Sequence, residues 1–99
     1  MAAWKLSPAD LRAVVGTVKR SPSYRAICRT LRSRCPRDVW IDGRTGFVHF
    51  DGGGDDSAPA WFIFAVSLDS HEVVAARRLE PAAGGEIRVA DVRPSRSPG

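Results

Sequence analysis

The sequence predicts an α+β domain, an N-terminal helical hairpin packed on a mostly antiparallel sheet of four to five strands in the order α-α-β-β-β-β-β. Three observations predict it. Two Ser-Pro pairs open amphipathic stretches in the first third of the chain, the apolar periodicity turns from helical to alternating at Asp38, and Gly-rich turns divide the remainder into short runs of branched and aromatic residues. At 99 residues, 43% hydrophobic and 26% charged, the chain has the size and composition of one domain with one core. Residues 1–92 are read as that domain and 93–99 as a disordered tail, because Arg93-Pro94-Ser95-Arg96-Ser97-Pro98-Gly99 can neither pack nor pair well.

In Ser7-Pro8-Ala9-Asp10 the serine stands at a helix cap, the proline falls where its missing N–H costs nothing, and the acid meets the positive helix end. A helix over 8–19 aligns Leu11, Val14, Val15 and Val18 in one apolar stripe, flanked by Arg12 and Lys19. Gly16 and the valines are poor helix formers, so packing must hold this helix, and Gly16 is where a close crossing is expected. Ser21-Pro22 repeats the start signal. A second helix is expected from Pro22 to about Arg34, with Tyr24, Ile27, Cys28, Leu31 and Cys35 on its apolar face and Arg25, Arg29 and Arg32 aligned on another, before Pro36 stops it.

Beyond Asp38, Val39-Trp40-Ile41 and Phe47-Val48-His49-Phe50 flank the hairpin chemistry of Asp42-Gly43-Arg44-Thr45-Gly46. Residues 51–59 lack apolar periodicity and read as a flexible surface loop. Trp61 to Leu68 is apolar on both parities, which predicts a central strand covered on both faces. Asp69-Ser70 turns the chain into a strand over 71–79, Pro81 to Gly85 turns it again, and Ile87 and Val89 mark the last strand. The expected core joins the apolar helix faces to Trp40, Phe47, Ile63, Phe64, Val73 and Ile87.

Several classes of function are disfavoured. The longest strongly apolar run, Trp61 to Val66, is far short of the ~20 residues that span a bilayer, so no membrane role is expected. The first eight residues lack the apolar stretch of an export signal, and two cysteines make no disulfide framework, so the setting is read as reducing and cytoplasmic. On one helix Cys28 and Cys35 would stand about 10.5 Å apart along the axis, too far for a disulfide, and are expected as free core thiols. With His49 and His71 they lie too widely spaced for a zinc site. Asp69, Ser70 and His71 are adjacent and so point to opposite faces, which makes no triad, and apolar surroundings would leave the Cys28 thiol inert. The 51–56 segment lacks both the acidic alternation of an EF-hand and the Gly-Lys-Ser/Thr ending of a phosphate loop. No enzyme activity, metal or cofactor is expected.

Charge polarity is the informative feature. Residues 1–37 hold nine Lys or Arg against Asp10 alone, whereas 38–91 hold four Arg against ten acids. Guanidinium groups are permanent, planar donors suited to phosphate and carboxylate. The expectation is a small non-catalytic binding module that contacts an acidic partner, nucleic acid or an acidic protein surface, through Arg25, Arg29 and Arg32, with Arg12, Lys19 and Arg44 as outer contacts. The competing expectation is a protein-protein interaction, inhibitory or dimerisation domain acting through the sheet, with a second copy of the chain among its partners.

Overall fold

The computed structural model describes residues 7–53 and 59–92; the predicted tail and most of the predicted 51–59 loop lie outside them. Helix α1 (Pro8–Lys19) and the short α2 (Pro22–Ile27) lead into a single 3₁₀ turn (Cys28–Thr30). Five strands follow: β1 (Asp38–Asp42), β2 (Thr45–Asp51), β3 (Trp61–Ser67), β4 (Glu72–Pro81) and β5 (Ile87–Asp91). They form one sheet in chain order, every neighbouring pair antiparallel. This is the predicted α-α-β-β-β-β-β arrangement. No helix among the described residues is long and apolar enough to cross a membrane.

Both caps work as their sequences imply. Ser7 Oγ accepts from the Asp10 amide at 3.1 Å, and Ser21 Oγ accepts from the Tyr24 amide at 3.2 Å. The buried Ser21 hydroxyl also donates to the Val18 carbonyl at 2.6 Å, locking the end of α1 to the start of α2.

The second helix ends earlier than its periodicity suggests. Leu31 turns to extended geometry (φ −75°, ψ 138°) and forms an isolated antiparallel bridge with Gly52. The Arg32 amide donates to the Asp51 carbonyl at 2.9 Å, and the Gly53 amide to the Thr30 carbonyl at 3.1 Å. Helical hydrogen bonds are thus exchanged for pairing with the end of β2, while Leu31 still packs against the core. Cys35, expected on the apolar helix face, is therefore exposed, and Asp51 and Gly52 belong to the sheet margin instead of a loop.

The core lies between the helices and one face of the sheet. It contains Val14, Val18 and Tyr24 from the helices, and Val48, Phe50, Phe62, Phe64, Val66 and Ala76 from β2, β3 and β4. Tilted contacts of Tyr24 with Phe50 (ring centroids 5.4 Å) and Phe64 (6.1 Å) bind the two layers, and Phe50 meets Phe64 edge-on (5.8 Å) within the sheet. Gly46 lies on the inward parity, where a Cβ would meet Val14 Cγ1 at 3.2 Å; its missing side chain lets α1 approach β2. Gly16 marks no helix crossing, because the nearest atoms to a Cβ there belong to the Arg20 guanidinium, Nη1 at 3.0 Å.

Phe64 and Val73 face the core as expected, but Trp40, Phe47 and Ile63 do not. Cross-strand pairing places Trp40, Phe47, Ala65 and Ala75 in one row, and Ile63 with Arg77 in the next, on the face opposite the helices. Ile87 is 58% exposed on β5, every residue of which is exposed. Among the described residues, β3 is covered by helices on one face only, and its second apolar face is shielded by strand neighbours.

Gly52 gives a first test of this packing. A Cβ at this position would lie 2.7 Å from Phe62 Cε2 and 3.2 Å from the Ala60 carbonyl oxygen, which is backbone and cannot easily yield. Gly52→Ala is expected to lower stability by about 1–3 kcal/mol in urea denaturation, with no loss of the sheet in the folded fraction.

Candidate functional site

The basic surface is built on three successive kinds of backbone. Arg12 and Lys19 project from α1, Arg25 from the last turn of α2, Arg29 from the 3₁₀ turn, and Arg32 from the extended segment stitched to β2. The row on a single helix that spacing suggested is absent, because the helix stops before Arg29. All five side chains are nonetheless exposed, and among the described residues none of them forms an ion pair. The basic side chains are thus carried by two helices and a bridged turn, and Arg32 lines a hollow with Arg37, Asp51 and Trp61.

Arg44 is exposed at the β1–β2 turn. Its Nη1 lies 3.4 Å from Asp69 Oδ2, an ion pair joining the β1–β2 and β3–β4 turns. With both partners largely in water, that contact is weak. Arg37 is likewise engaged, with Nη1 at 3.2 Å from Asp51 Oδ2.

Two basic residues not singled out from the sequence join the layer. Arg34 is exposed beyond the bridge and stands near enough to Tyr24 to favour its ionised form. Arg20 lies over Gly16 and lines an open hollow of about 470 Å³ with Thr17, Ser21, Ser23, His71 and Glu72. The one-sided charge count of residues 1–37 was the signal for both, although spacing gave no reason to rank them.

Reactive side chains are dispersed. Cys28 is half-buried and its Sγ lies 3.7 Å from the Arg25 carbonyl; Cys35 is exposed in the connection before β1. His49 is on the helix-free sheet face, 3.8 Å from Asp51 Oδ1, and His71 occupies the β3–β4 turn with φ 57°. Among the described residues, neither thiol hydrogen-bonds to an imidazole, and no three His, Cys, Asp or Glu gather as a metal set.

Tyr24 underlies the patch. Its hydroxyl is buried without a hydrogen-bond partner among the described residues. Burial, and to a lesser extent the nearby Cys28, push the phenol above its usual pKa, with Arg34 opposing them. The folded state therefore resists ionisation more than the unfolded chain, and stability is retained below about pH 10 and lost as pH rises past the unfolded value. Tyr24→Phe is expected to be close to neutral at pH 7, since no bond is lost, and to flatten the alkaline fall in stability followed by circular dichroism.

The class defined by these features is a two-layer α+β module with a basic helical side and a bare sheet side. No family model, curated protein or solved structure matches the chain.

Proposed function

We propose that this protein is a non-catalytic binding module whose helical layer docks on an acidic partner, either nucleic acid or an acidic protein surface. The observation carrying this reading is the exposure of Arg12, Lys19, Arg25, Arg29 and Arg32 without carboxylate partners among the described residues. Exposed guanidinium groups retain their full capacity for bidentate pairing with phosphate or carboxylate. Arg25, Arg29 and Arg32 form the centre of the contact, with Arg12 and Lys19 outside it.

The two partner classes separate in one binding series. Labelled duplex DNA, single-stranded RNA and poly-glutamate are titrated with the full chain at low salt, and anisotropy is read. Tighter binding to either nucleic acid than to poly-glutamate supports the phosphate version, and the reverse order supports the protein version. Failure to bind any of the three contradicts the proposal.

A further inference from the structure

We infer that the helix-free face of the sheet is a homodimer interface, on which a second copy of this chain packs face to face. The inference concerns a surface separate from the basic patch and stands independently of it.

Antiparallel sheets with one bare face ordinarily alternate apolar residues inward and polar residues outward. Here the outward positions include Trp40, Phe47, Ile63, Ala65, Ala75 and Leu79, on four adjacent strands. Trp40 and Phe47 stack nearly parallel, ring centroids 5.3 Å apart at 16°, with no helix above them among the described residues. Val89 extends the surface onto β5 at 54% exposure. The molecule is a slab measuring 41 × 38 × 20 Å, its short dimension only two layers deep. A second sheet about 10 Å above this face would complete a four-layer α/β/β/α sandwich.

Area supports a second copy as the occupant. Five strands at ~4.8 Å spacing, five to ten residues long at ~3.3 Å each, give a face of roughly 550 Å² in flat projection. Side-chain relief raises the accessible area towards the ~800 Å² per partner of a standard stable interface.

The face also complements itself. In the row Trp40, Phe47, Ala65, Ala75, two bulky rings stand beside two methyl groups. A two-fold axis along β3 lays β2 of one copy over β4 of the other, so that Phe47 meets the shallow floor at Ala75 of its mate, twice over. Such an isologous contact closes at two copies.

Charge is compatible with this packing. Arg77 is paired with Asp91 at 3.1 Å and Asp51 with Arg37 at 3.2 Å, while Asp38 and Asp42 on the edge strand and the exposed Glu72 at the start of β4 lie at the wet rim. The two basic helical layers would face outward on opposite sides, separated by more than the ~8 Å Debye length of physiological salt.

Sedimentation equilibrium of the full chain over a wide concentration range tests the inference. The expected mass is twice the 10.7 kDa of one chain, insensitive to salt. Phe47→Lys is expected to raise the dimer dissociation constant about 30-fold or more. Ala75→Arg, a substitution at a half-buried position away from the core, should do the same while far-UV circular dichroism stays unchanged, and it decides the matter if Phe47→Lys fails to fold. A monomer at every concentration overturns the inference, as does a dimer indifferent to both substitutions. Larger assemblies that salt dissolves also overturn it, since they signal the helical layer of one copy resting on the sheet of the next. Arg25→Glu with Arg29→Glu should dimerise normally, so failure of the docking proposal and failure of this interface are told apart.

Discussion

Replacing Phe64 by alanine is expected to remove about 3–5 kcal/mol of folding stability, since Phe64 and Phe50 are the two largest side chains with no exposed surface among the described residues. Phe64 has 0% exposure and lies where the two layers meet, edge-on to Phe50 at 5.8 Å and tilted against Tyr24 at 6.1 Å. Truncation removes the buried ring and leaves a cavity that Val18, Val48 and Tyr24 cannot close, because Ser21 and the two caps fix the helices. Domains of this size have only about 5–15 kcal/mol in total, so the variant should unfold at much lower urea or populate the unfolded state without denaturant. The contrast is Phe47→Ala on the opposite sheet face, where the monomer loses less. Equal losses at the two positions would show that the aromatic parity assigned to the sheet is wrong.

The second large effect concerns binding. Arg25→Glu combined with Arg29→Glu is expected to weaken polyanion binding about 100-fold or more, since each charge-assisted contact contributes about 1.5–3 kcal/mol and each reversal adds repulsion. Stability should change by no more than about 0.5 kcal/mol per site, because both side chains are exposed and neither has an ion-pair partner among the described residues. Arg25 contributes slightly more than Arg29, as a cation in the last turn of α2 favours the helix dipole. Anisotropy titrations read the affinity and urea denaturation the stability. Unchanged affinity in a folded double variant would remove the helical patch from the binding surface.

Local signals in the chain were readable wherever the structure obeys local rules. Both Ser-Pro starts cap helices through the serine hydroxyls, and Asp42-Gly43 turns a hairpin with Gly43 at φ 64°. The end of the second helix was not readable, because Ile27, Cys28 and Leu31 satisfy helical spacing while the competing bridge to Gly52 is twenty-one positions away in sequence. The aromatic residues of β1 to β3 pose a different problem. Their strands are apolar on both parities, so alternation alone cannot say which set meets the helices. The absent side chain of Gly46 lets Val14 approach on one of those parities, and that is visible only once helix and strand are placed together.

The candidate site divides in the same way. Charge polarity is a property of composition and was evident from the sequence. Arg32 and Arg44 depended on tertiary partners: the amide of one is tied to Asp51, and the guanidinium of the other is paired with Asp69 twenty-five residues ahead. The bare apolar sheet face was concealed for the reason given above, since its residues read as core until the layer count was known.

The most direct test of the docking surface is the salt dependence of binding to a short DNA duplex by the wild-type chain. With Arg25, Arg29 and Arg32 each displacing counterions, the logarithm of affinity should fall against the logarithm of salt with a slope of about −3 or steeper. A slope near zero, or no binding at low salt, would contradict the nucleic-acid version of the docking surface.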